Sequence, residues 1–182
     1  MPNNRLRAVE TTLLPIKLEH QGIVYQDKFQ KMEKIRAEFK GFTKEYFVSD
    51  YGQKAAVVVV QDGKILMARQ YRLLINDLSY EIPGGKVNEK ETPKDAAMRE
   101  CLEETGYQCK TLKPLITYDP DLEYSRNHTT VFYSKDVKDV TSHKFQCTWI
   151  PVEECLKMVF KGKIADSLSI ISILAYANTI KK

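Results

Sequence analysis

A chain of 182 residues, 43% hydrophobic and 29% charged, can bury one substantial core with a small appended subdomain, but not two large independent domains. Its net charge of +4 is mild, and Lys28, Lys31, Lys34, Lys40 and Lys44 are interleaved with Asp27, Glu33, Glu38 and Glu45, the pattern of a solvated surface and not of a nucleic-acid groove. No stretch reaches the ~18 apolar residues of a membrane span. The first ten residues lack a secretory pattern, and Cys101, Cys109, Cys147 and Cys155 form no C-x-x-C pair, so the expectation is a soluble, cytoplasmic protein with reduced thiols, no disulfide and no zinc site.

Residues 22–25, 32–39 and 45–48 read as strands of a small antiparallel sheet. Its aromatics Tyr25, Tyr46 and Phe47 suit a base-stacking surface or, more commonly, a strand core. The unbroken apolar run at 55–60, β-branched from Val57 onward, suits a strand buried on both faces, and Asp62-Gly63 is a hairpin turn into a strand at 65–70. A short strand at 80–82 meets Pro83-Gly84-Gly85, a trio expected to end regular pairing and to let backbone approach a ligand closely.

A helix over residues 93–105 follows, with Thr92 as N-cap, Pro93 in the first helical position, Asp95 at the positive end and Gly106 as left-handed stop. Residues 112–118, 129–134 and 145–150 are further strands, separated by a polar loop at 119–128 and a charged stretch at 135–144. Two helices close the chain, one from Pro151 to about Gly162 and one from Asp166, on which Leu168, Ile171, Leu174 and Ala175 are placed on one face.

The chemistry concentrates on the helix at 93–105. Glu100, Glu103 and Glu104 stand at i, i+3 and i+4, so three carboxylates share a face and repel unless a cation joins them. Hard oxygen donors select Mg2+ or Mn2+ over zinc. Alone, such a face is most often a solvated acidic surface. Here it lies in a longer pattern: Gly85, Glu91, Arg99, Glu100, Glu103, Glu104 and Gly106, with Cys101 and Tyr107 at apolar places.

That segment resembles the Nudix box at every defining position. The resemblance implies an α+β fold, a Nudix α/β/α sandwich with a mixed sheet plus a small N-terminal antiparallel β subdomain. The divisions are residues 1–52, a dimerising subdomain, and 53–182, the hydrolase domain. It implies a Mg2+- or Mn2+-dependent pyrophosphohydrolase in which Glu100, Glu103, Glu104 and the carbonyl of Gly84 hold metal. Glu104 is the leading catalytic ligand, while Glu91 and Arg99 pair to fix the loop, with Gly85 and Gly106 structural.

Arg69-Gln70-Tyr71-Arg72, Tyr80-Glu81-Ile82-Pro83-Gly84-Gly85 and Trp149-Ile150-Pro151-Val152-Glu153-Glu154 look like the substrate-side sequences of ADP-ribose pyrophosphatases. By that likeness the substrate is ADP-ribose, cut to AMP and ribose 5-phosphate by a homodimer. Arg72 matches the diphosphate-binding arginine, and Arg69 is either a second substrate contact or a surface residue. Another nucleotide sugar such as GDP-mannose, a dinucleoside polyphosphate, a nucleoside triphosphate, or a sensor that binds without cutting remain as alternatives. The glutamate that many such enzymes carry ahead of the last strand is replaced by Ser142-His143-Lys144-Phe145-Gln146. Glu123, Asp121 or Glu103 are candidates for the missing base, with a solvated turn the equal reading for the first two, and His143 reads as a surface histidine.

Overall fold

The structure is a computed structural model that describes residues 14–140 and 146–180. In chain order the strands are β1 (Lys17–Gln26), β2 (Lys31–Phe39), β3 (Phe42–Asp50), β4 (Lys54–Gln61), β5 (Lys64–Arg72), β6 (Asp77–Glu81) and β7 (Gly84–Lys86). Helix α1 (Pro93–Thr105) precedes β8 (Tyr107–Cys109), β9 (Lys113–Tyr118), β10 (Ser125–Arg126), β11 (Thr129–Ser134), β12 (Val137–Asp139) and β13 (Gln146–Pro151), and α2 (Val152–Phe160) and α3 (Ser167–Ile180) end the chain. His143 lies outside the described residues.

By backbone proximity the chain divides into two units, residues up to 51 with 121–127, and residues 52–120 with those from 128 onward. The first is an antiparallel β1-β2-β3 sheet with β10 added parallel to β3. Ala37 and Val48 are its buried hydrophobics. Tyr25 and Phe47 are about half exposed, so they do not form the strand core that is the commoner setting for aromatics.

The second unit is built on a mixed sheet ordered β13-β5-β4-β11-β9, with β6 paired to β5 and β7 to β4. β11 runs parallel to β4 and the other pairs are antiparallel. β4 explains its own sequence. Ala55, Val57 and Val59 pack with Ala96, Ala97 and Cys101 of α1, while Ala56, Val58 and Val60 pack with Cys155, Met158, Ile173 and Tyr176 from α2 and α3. A strand covered on both faces has no polar side, hence the run Ala-Ala-Val-Val-Val-Val. Asp62 and Gly63, both at positive φ, make the tight turn between β4 and β5.

Three expectations need correction. Gly84 and Gly85 do not end pairing: they form β7, with Ala55 opposite Gly85 and Ala56 opposite Gly84. Backbone pairing needs no side chain, and a side chain is what position 84 cannot hold, since a Cβ on Gly84 would stand 2.5 Å from that of Ala56. The charged stretch after residue 135 contains β12, paired to β8 through Val137 and Cys109. Finally, α3 buries Ser169, Ser172, Ile173, Tyr176 and Ala177 and leaves Leu174 exposed. The buried face is rotated from the expected one because two serines lie inside, their hydroxyls satisfied by Asp166 and by the Leu168 carbonyl.

Candidate active site

Helix α1 begins where its sequence requires. Thr92 Oγ1 accepts from the Asp95 N–H, and Gly106, at φ 76°, closes the helix with its N–H on the Leu102 carbonyl. Ala96, Ala97 and Cys101 turn to the sheet, which leaves Arg99, Glu100, Glu103 and Glu104 on the remaining surface. The Cys101 thiol is fully buried, and its neighbour Cys109, with burial, pushes its pKa up.

Arg99 organises this surface. Its Nε and Nη2 donate to the two oxygens of Glu91 at 2.8 and 3.0 Å, and Nη2 also reaches the Lys86 carbonyl at 2.9 Å. Nη1 donates to Glu100 at 2.7 Å and to Glu103 at 3.1 Å. The loop before the helix is thereby tied to the helix, with the Arg99 guanidinium, and then the Asn88 N–H, holding the Glu91 carboxyl below its usual range. Arg99 is itself driven further toward its charged form, Glu91 first.

Glu104 is placed differently. Its carboxylate accepts from the Gly84 N–H at 3.1 Å and from Gln70 Nε2 at 2.5 Å, both neutral amides. Burial pushes its pKa up to about 7, and the carboxylates of Glu100 and Glu81 push the same way. Glu100 lies against the backbone of Gly85, where a built Cβ would meet its carboxylate at 2.3 Å. Two acids therefore flank the glycine pair, one of them lacking a full counter-charge.

The β5–β6 hairpin supplies a cationic side. Side chains alternate along a strand, so Gln70, Arg72 and Glu81 share one face, the one that reaches Glu104, while Arg69 and Tyr80 share the other. Arg72 Nε donates to Glu81 at 2.7 Å and Nη2 donates to the second Glu81 oxygen. Arg69 lies 4.8 Å over the Tyr80 ring. The structure thus separates the two arginines. Glu81 and Gln70 take part without a role assigned to either from the sequence. The one signal there is an acid set between the apolar Tyr80 and Ile82.

Residues 51–167 match the family model described as NUDIX domain. A CMP-5'-(N-acetyl-N-hydroxy-3-aminopropyl)phosphonate hydrolase of Streptomyces rubellomurinus is 31% identical over 85% of this chain and 79% of its own. The chain belongs to the Nudix family. An ADP-ribose pyrophosphatase of Mycobacterium tuberculosis is 26% identical over 86% of this chain and 78% of its own. Among solved structures, one titled as an ADP compounds hydrolase superposes with TM-score 0.78 at 15% identity, covering 92% of this chain and 93% of that one, a likeness of fold. The mixed sheet between helices is the Nudix sandwich, and the protein is a Nudix pyrophosphohydrolase.

Nudix enzymes generally use divalent cations, and the donor set suits one: hard oxygens, one half-buried acid hydrogen-bonded only by neutral amides, and a glycine backbone beside it. Among the described residues no three acidic, imidazole or thiol groups already converge on a point. Arg99 holds Glu100 and Glu103, and only Glu104 turns to Gly84. Glu123 has other company. It belongs to the N-terminal unit, where Lys44 pairs with it, and Asp121 closes a turn by accepting the N–H groups of Glu123 and Tyr124 at 2.7 Å each. The larger unit also contains a pair outside the expected set, His128 Nδ1 and Asp119 Oδ1, 3.1 Å apart.

Proposed function

We propose that this Nudix enzyme hydrolyses the pyrophosphate linkage of ADP-ribose to AMP and ribose 5-phosphate. The observation that carries the reading is the single face of the β5–β6 hairpin on which Arg72 stands beside Gln70, the hydrogen-bond partner of Glu104. A diphosphate needs both a fork of N–H donors and acidic ligands for a cation, within reach of one another. Arg72 binds the diphosphate; Arg69, on the opposite face, serves the hairpin through Tyr80.

Glu100, Glu104 and the Gly84 carbonyl would hold Mg2+ or Mn2+, with Glu103 as a third ligand. When bound, the cation neutralises the charge that grows on the phosphates and acidifies the attacking water. Glu103 takes the water's proton, because its side chain is half exposed and held only by Arg99. Glu123 is the alternative base. The water oxygen forms a bond to one phosphorus as the bridging oxygen leaves with the other phosphate.

Incubation with ADP-ribose and Mg2+ followed by product analysis tests this reading. AMP and ribose phosphate support it, and tight binding without turnover turns the reading to a sensor. A CMP-linked phosphonate is the second substrate to try, favoured by the 31% identity to the Streptomyces hydrolase. The same reading has the protein working in the cytoplasm as a homodimer joined through its N-terminal sheet, whose exposed Ile23, Val24 and Phe42 favour burial. Light scattering on the purified chain measures the assembly.

A further inference from the structure

We propose that Glu81 is a positioning residue that holds the Arg72 guanidinium toward the substrate diphosphate and keeps it off the metal-binding carboxylate of Glu104. The inference rests on the functional reading above. Glu81 is 6% exposed, and a buried carboxylate is retained only where a partner satisfies it. Its partner is Arg72, engaged through both oxygens.

The pairing consumes the Nε–H and one Nη2 hydrogen. Of the five N–H donors of a guanidinium, both on Nη1 and the second on Nη2 remain, on a side chain that is half exposed. The fork is thus oriented before substrate arrives, with donors left over for phosphate oxygens.

The choice of partner matters because rivals are near. Asp166, and after it Glu104, also act on Arg72 through space, more weakly than Glu81. Asp166 accepts the N–H and hydroxyl of Ser169 on one oxygen, Oδ2, both at 2.8 Å. Glu104 receives only amide donors. An Arg72 released from Glu81 is left between Asp166 and Glu104, and at Glu104 a guanidinium competes with a divalent cation for the same oxygens.

The test compares wild type with Glu81→Gln, Arg72→Gln and the double variant, by steady-state hydrolysis of ADP-ribose and by titration with Mn2+ alone read by electron paramagnetic resonance. Glu81→Gln is expected to raise KM about tenfold with a smaller change in kcat, and to weaken Mn2+ binding severalfold. Arg72→Gln raises KM and leaves Mn2+ binding intact. The double variant has the KM of Arg72→Gln alone and regains wild-type Mn2+ binding, a non-additivity that general destabilisation would not produce.

Glu81→Gln with KM and Mn2+ affinity both within twofold of wild type overturns the proposal, as do effects that simply multiply in the double variant. Should Glu81→Gln fail to fold, Glu81→Asp, which keeps the charge and withdraws it by one methylene, carries the same comparison at wild-type melting temperature. A wild type that leaves ADP-ribose uncut refutes the functional reading, while the Mn2+ arm still decides the role of Glu81.

Discussion

The two units handle acidic side chains in opposite ways. In the N-terminal unit three acids each find a cation or a backbone donor: Glu123 pairs with Lys44, Asp121 caps its own turn, and Glu33, hydrogen-bonded by Lys31 and Arg126, has its pKa lowered to about 2. In the larger unit Glu104 is half-buried with neutral donors, and its pKa rises to about 7. The first arrangement is complete in itself. The second asks for a ligand of positive charge, which is what separates a surface acid from one built for chemistry.

The sharpest way to break this contrast is charge removal. Glu104→Gln keeps the shape and is expected to lower hydrolysis at saturating Mg2+ by ~100-fold or more, whereas Glu123→Gln should stay within about threefold in the same assay. A loss of ~100-fold at Glu123 instead would make it the base and give the N-terminal unit a direct part in the reaction. Glu103→Gln should fall between the two, near the ~10²-fold of a general base.

Packing gives the next largest difference. Leu66 is fully buried in β5, and Leu66→Ala should cost about 2–5 kcal/mol in denaturant unfolding. Ile23, half exposed in β1, should change stability by about 0.5 kcal/mol or less when cut to alanine.

The smallest effect is in pH. Because the Glu104 pKa is raised from its ordinary 4.5 to about 7, chiefly by burial, its contribution to the metal-free protein is full below 4.5 and is lost as pH rises through about 7. The melting temperature of wild type minus that of Glu104→Gln, both in chelator, should therefore drop between pH 5 and pH 8, by ~2–4 °C. A difference that stays flat would mean that the carboxylate is not desolvated.

What could be read without coordinates follows the range of the interactions. Helix α1 was legible from Thr92 to Gly106 because capping is written within a few residues, and β4 was legible because burial on both faces leaves no polar position. β7 was not, since its pairing depends on Ala55 and Ala56, about thirty residues earlier. The face of α3 was misjudged because Ser169 and Ser172 look polar until their partners are known. Among site residues, the Glu91–Arg99 tie could be anticipated from the resemblance, but the Glu81–Arg72 clasp joins two strands across a hairpin and left only a lone buried acid as a clue.

Ser169 carries one more consequence. Its hydroxyl receives the N–H of Ile82 at 3.0 Å while donating to Asp166, so the stretch between Glu81 and Gly84 is anchored by a helix made some eighty residues later. That amide therefore exchanges water for its protein acceptor only once α3 has been made and has docked, however early helix α1 forms.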